Sequence, residues 1–157
     1  MTVGECCKHL AVSISGKADI AEAACLMRQA HVGFLVVFEQ GDALKRPVGV
    51  LTDRDLVLEV MARDVSPRSV RVEDAMTREP LIARTSDELA DLVQQMRLAG
   101  VRRVPVVDDR GALSGVIAVD DAIDVVTRLL CDLSGSIKGQ LAQEGRARRS
   151  FGGNHEP

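Results

Sequence analysis

Val48-Gly49-Val50-Leu51-Thr52-Asp53-Arg54-Asp55-Leu56 runs from apolar residues into a hydroxyl and three charged side chains. Leu56-Val57-Leu58-Glu59-Val60-Met61 then reads as a helix. The stretch is therefore a buried strand that delivers Thr52, Asp53, Arg54 and Asp55 to a helix start. The first turn of a helix carries unpaired N–H groups and a partial positive charge, which suits an anion such as phosphate. The stretch has an echo downstream, Ser114-Gly115-Val116-Ile117-Ala118-Val119-Asp120-Asp121-Ala122-Ile123. That echo decides the fold, because it makes the chain one unit written twice.

The repeat extends outward from both copies. Ile20, Ala23, Ala24 and Met27 have the spacing of an amphipathic helix, and Leu89, Leu92, Val93 and Met96 reproduce it 69 residues later. Ala30-His31-Val32-Gly33-Phe34-Leu35-Val36-Val37-Phe38 falls on Ala99-Gly100-Val101-Arg102-Arg103-Val104-Pro105-Val106-Val107. Val12-Ser13-Ile14 falls on Leu81-Ile82-Ala83, a short strand ahead of each helix. The turn that follows is Asp108-Asp109-Arg110-Gly111 in the second copy and the longer run from Glu39 to Pro47 in the first. Beyond it the offset falls to 66, matching Gly49 with Gly115 and Asp55 with Asp121. Loops absorb such insertions at small entropic cost.

Each unit is thus strand, helix, strand, hairpin turn, strand, helix, an α/β (α+β) arrangement. Residues 1–63 make the first unit, 64–71 the linker and 72–133 the second unit. Residues 134–157 are a helix end and a mobile basic tail, since Gly135 and Gly139 weaken the helix and apolar periodicity then stops. Thr85 and Glu88 predict a capping box on the second unit's first helix. A unit of this size cannot bury both faces of three strands alone, so the two must share a core.

The bulk composition fits one soluble domain of 157 residues, with 46% hydrophobic and 27% charged residues. A net charge of −3 disfavours a general nucleic-acid binder. Phe34, Phe38 and Phe151 are the only aromatic residues, which leaves little for base stacking. No apolar run spans a bilayer, the N-terminus lacks a signal-peptide pattern, and the four cysteines form no spaced framework. A reducing, cytoplasmic setting is expected.

Four motifs, in order and in register, carry a resemblance: Gly-Val-Leu-Thr-x-x-Asp ending at Asp55, Gly-Val-Ile-x-x-x-Asp ending at Asp121, the run Val101 to Asp108, and Val72 to Pro80. Over about residues 3 to 130 the chain resembles a tandem pair of CBS motifs, the Bateman module, of the stand-alone bacterial type. The resemblance implies two β-α-β-β-α motifs packed with pseudo-twofold symmetry. It implies two clefts between them that take adenosine-containing ligands, and assembly of two chains into a flat dimer. It assigns Asp55 and Asp121 to the ribose hydroxyls, and a basic residue at Arg102 or Arg103 to phosphate.

Each candidate also has a plainer role. Asp55 near a helix start favours the helix dipole, and Thr52 serves either as a phosphate donor or as an N-cap, a job for which Asp53 competes. Arg54 reaches a phosphate or lies in solvent. Arg102 and Arg103 are adjacent on a strand and point to opposite faces, so only one easily faces a given cleft. Gly33 and Phe34 stand at their positions in the first unit and cannot replace them. Val12, Ile14, Val32, Leu35 and Val36 could line one adenine slot, and Leu81, Ala83, Val101 and Val104 the other, or all serve as core. Pro105 and Asp120 complete the candidate set. His31 ends the first helix as a cap.

The expected function is a regulatory module without catalysis, sensing AMP, ADP, ATP or S-adenosylmethionine and modulating a separate, unknown partner protein. Membrane and nucleic acid are not expected as partners. Two alternatives stand beside it: a structural homodimer with empty clefts, and a small redox- or metal-responsive protein using Cys6, Cys7 and His9. The wide apolar face of residues 122–133 predicts a homodimer. The site of Thr52 and Asp55 is expected to bind more tightly than that of Asp121, because Ala118 lacks the hydroxyl. Arg102 and Arg103 could offset that difference.

Overall fold

In the computed structural model, which describes residues 1–8 and 10–151, the duplication is visible element by element. The first repeat holds β1 (Ser13–Ser15), α2 (Ile20–Ala30), β2 (Phe34–Phe38), β3 (Pro47–Thr52) and α3 (Asp53–Leu56), the last continued by a π-helical turn, Val57–Met61. A short helix α1 (Val3–Cys6) precedes it. The second repeat follows α4 (Val72–Ala75) and β4 (Thr77–Arg78) and holds β5 (Ala83–Arg84), α5 (Leu89–Ala99), β6 (Arg103–Val107), β7 (Leu113–Ala118) and α6 (Val119–Phe151).

The strands form two separate sheets of matching design. In one, β1 runs parallel to β2 and β2 antiparallel to β3, with β4 added at the edge. In the other, β5 runs parallel to β6 and β6 antiparallel to β7. The registers correspond: Ile14 pairs with Val37 where Ala83 pairs with Val106, and Phe34 faces Thr52 where Arg103 faces Ala118. Both hairpins carry a register shift at the same place, between Val37 and Phe38 and between Val106 and Val107.

The two repeats exchange their opening helices. Val3 and Gly4 of α1 donate their N–H groups to the carbonyls of Asp87 and Thr85 in the second repeat, at 2.8 and 2.9 Å. Val72 and Glu73 of α4 donate to Ala18 and Gly16 in the first repeat, at 2.9 and 3.0 Å. These are the same four positions displaced by 69, so each repeat's core is closed by a helix placed next to the other repeat in sequence. Val72 and Ala75 accordingly join Ile14, Ile20, Ala23, Met27, Leu35, Val37, Leu51 and Val60 in one buried cluster. Val3 and Cys6, their counterparts, are buried as well.

Helix starts differ between the repeats. Asp19 caps α2 with a reciprocal pair to Glu22, at 2.8 and 3.0 Å. The box expected from Thr85 and Glu88 does not form on α5. Glu88 is itself the N-cap position, and its carboxylate takes the Met1 ammonium at 3.1 Å instead. Met1–Asp121 forms one compact body containing both repeats. From Ala122 onward the chain is a second body, helical through Gly135 and Gly139 to Phe151, beyond the weak point that those glycines predict. The rest of the expected mobile tail, residues 152–157, lies outside the described residues.

Candidate functional site

A cleft of about 360 Å³ opens between the repeats, within the roughly 300–1,000 Å³ typical of small-molecule sites. Its walls come from both copies: Val12, His31, Val32, Gly33 and Phe34 from the first, and Arg103, Val116, Ala118 and Asp120 from the second, with Leu10 at the side. The segment before β1 and the end of α2 supply the apolar wall. The start of β6 and the β7–α6 junction supply the charged one. The guanidinium of Arg103, exposed at the first residue of β6, brings five donors to a cleft that otherwise carries the carboxylate of Asp120. Arg102 lies 4.0 Å from that carboxylate, both ends well exposed, and does not line the cleft.

The two expected ribose carboxylates occupy equivalent but unequal places. Asp55 Oδ2 accepts from the Thr52 N–H and from the Thr52 hydroxyl, each at 2.7 Å, while the Asp55 N–H donates to Thr52 Oγ1 at 3.2 Å. Thr52 is thus the N-cap of α3, and its hydroxyl proton is committed to Asp55. Asp121 Oδ2 accepts from the Ala118 N–H at 2.7 Å, the same bond at the same place without the hydroxyl. Asp121 is buried whereas Asp55 is half-buried.

Asp53 does not cap α3. Its carboxylate accepts from the Arg54 N–H at 2.8 Å and lies against Gly33, where a Cβ would meet the carboxylate carbon at 2.9 Å. The Asp53 N–H donates to the Gly33 carbonyl at 3.1 Å, just as Val119 donates to Arg102 at 3.0 Å. Gly33 is small because the next strand-to-helix junction closes on it. Arg54 is exposed.

Of the remaining candidates, Ile14, Val36, Ala83 and Pro105 are buried strand residues, and Val101 is half-buried just before β6. Leu35 and Val104, offered as slot residues, are fully buried. The structure therefore brings Val12, Val32, Gly33, Arg103 and Asp120 together in the cleft and leaves those side chains in the core. Leu10 and Val116 also line the cleft, with no signal in the sequence to mark them, and His31 lines it besides ending α2. A second cavity, of about 480 Å³, is lined by Gly16 and Lys17 after β1, the end of β2, and residues of β3, α4 and β4. Its cations are already engaged, Lys17 with the Glu73 carboxylate and Arg78 with the Glu73 carbonyl, both at 2.8 Å.

Cys6 fills the core position that Ala75 fills in the other repeat, and the Cys7 thiol donates to the Val116 carbonyl at 3.5 Å. His9, the third member of the metal or redox hypothesis, lies outside the described residues. Among the described residues, no three metal-ligating side chains converge.

Known proteins share this sequence pattern and this fold. The family description CBS domain fits residues 3–62 and 72–128. A CBS domain-containing protein of Bacillus subtilis is 37% identical over 109 residues, 69% of this chain and 74% of that protein. A CBS domain protein from Pyrobaculum aerophilum, solved in complex with AMP, superimposes with a TM-score of 0.69 at 27% identity, over 77% of this chain and 89% of its own. The structure of CBSX2 in complex with AMP gives 0.66 at 26% identity, over 82% and 97%.

Proposed function

The chain belongs to the CBS-domain family, with two copies in tandem, and we propose that it is a non-catalytic regulatory module taking an adenine nucleotide between its repeats. The observation that carries this reading is the cleft itself, lined by Val12, Val32 and Phe34 of one repeat together with Arg103 and Asp120 of the other. The apolar wall suits a purine and the guanidinium suits its phosphate. Two similar proteins were solved with AMP, which supports an adenine nucleotide over other anions. Asp55 and Asp121 are assigned to ribose, and S-adenosylmethionine remains in the ligand set.

A ligand that touches both repeats binds best to one relative arrangement of them. Its binding energy then biases that arrangement, and a partner protein that reads it. The proposed working form is a cytoplasmic homodimer. Among the described residues no helix is long and apolar enough to cross a membrane. Isothermal calorimetry with AMP, ADP, ATP, adenosine and S-adenosylmethionine tests the reading. Saturable binding of at least one supports it, and absence of binding by all five leaves a structural dimer with empty clefts.

A further inference from the structure

We propose that His31 is a ligand-contacting residue that makes the affinity of the cleft for phosphate-bearing ligands rise as pH falls. The proposal rests on the adenine-nucleotide reading above and adds a regulatory input to it. Its starting point is a mismatch between the two repeats. Helix α2 ends at His31 and helix α5 at Gly100, at the same repeat position and in the same left-handed conformation, φ 53° and 67°. That conformation suits glycine and strains a residue with a Cβ. The first repeat therefore holds a strained backbone where the second shows that a glycine serves.

Both cap N–H groups return to their helices, His31 to Met27 and Gly100 to Met96 and Arg97. The cap therefore needs the backbone and not the ring. What the ring adds is its place: His31 is exposed and lines the cleft, with Arg103 on the same lining. An imidazole there offers a second cationic donor when protonated, and histidine is the side chain that changes charge in the physiological range.

The charged groups around it set the sign. Across the cleft stand Arg103 and Asp120, the latter shared with Arg102. On its own helix Arg28 lies in the last turn, and the neighbouring α3 carries Asp53, Arg54 and Asp55. An anionic ligand between Arg103 and His31 favours the imidazolium, so protonation and phosphate binding strengthen each other by linkage.

The test compares wild type with His31→Gly and His31→Asn by calorimetry, using AMP and adenosine at pH 7.5 and 5.5. The phosphate of AMP titrates in the same range. The readout is therefore the ratio of wild-type to variant affinity at each pH, in which the ligand's own proton cancels. For AMP that ratio should grow about ten-fold or more on acidification, the size of one added hydrogen bond to a charged group. For adenosine it should not change. His31→Gly relieves the backbone, so its melting temperature should hold or rise, which separates lost binding from lost folding. An AMP ratio equal at both pH values overturns the proposal while leaving the nucleotide reading intact. A wild type that binds neither ligand overturns both.

Discussion

At the scale of single residues, the hydroxyl and the guanidinium stand at different repeat junctions. Thr52 accompanies Asp55, while Arg103 lines the cleft that Ala118 and Asp120 border. The advantage that sequence assigns to the Thr52 site therefore applies to adenosine, and a phosphate shifts the balance toward Arg103. Arg103→Ala should weaken AMP by about ten-fold or more, the equivalent of the roughly 1.5–3 kcal/mol of a hydrogen bond to a charged group. It should spare adenosine and leave the melting temperature unchanged, because the side chain is exposed. In a two-site isotherm Asp55→Ala should remove one phase and Asp121→Ala the other; a curve unaltered by both would end the ribose assignment. Asp121→Ala should also cost more stability, about 1–3 kcal/mol by denaturant titration, since it strands the Ala118 N–H beside a buried position.

At the scale of elements, the paired strands and the two long helices were legible because their apolar spacing repeats, at an offset of 69 before the hairpin turn and 66 after it. The exchange of α1 and α4 was not. A four-residue helix is too short to show periodicity, and between Val3–Cys6 and Val72–Ala75 only the leading valine is shared. The capping box misread at Thr85 has the same origin, because α1 and the chain start occupy the space around the head of α5. The equivalence makes a prediction: Val3→Ala and Val72→Ala should each cost about 1.5–3 kcal/mol in urea unfolding, and closely similar amounts. A negligible cost for Val3→Ala alone would show that α1 is dispensable and the exchange one-sided. Lys17 adds a clamp to α4, and its hydrogen bond holds the Glu73 carboxyl below the usual carboxylate range. A depressed carboxyl stabilises above its unfolded pKa, and that contribution is lost as pH falls through the folded value. Lys17→Ala should accordingly lose more stability at neutral pH than in acid, a difference that thermal melts across pH 3–7 would read at about those limits.

At the scale of the whole molecule, α6 presents Ile123, Val126, Leu129, Leu130, Leu133 and Ile137 to solvent, each more than half exposed. That breadth was readable from sequence, since apolar residues beyond one core stripe need a second surface to cover them. A dimer mass by light scattering at micromolar concentration is expected, and Leu130→Glu with Leu133→Glu should give a monomer with the same circular dichroism. A monomer in the wild type would remove that account of the face. What sequence could not show is which side chains meet across the repeats, because the cleft joins residues far apart in the chain that no local pattern connects. The exchange of α1 and α4 carries a further consequence for birth on the ribosome. Synthesis makes Val3–Cys6 well before its hydrogen-bond partners at Thr85 and Asp87, which emerge only with the second repeat. The nascent first repeat, for its part, waits for Val72 and Ala75 before its interior is shut. A stalled chain released before Ala75 should therefore be cut readily by protease, while one extended through Ala118 should resist.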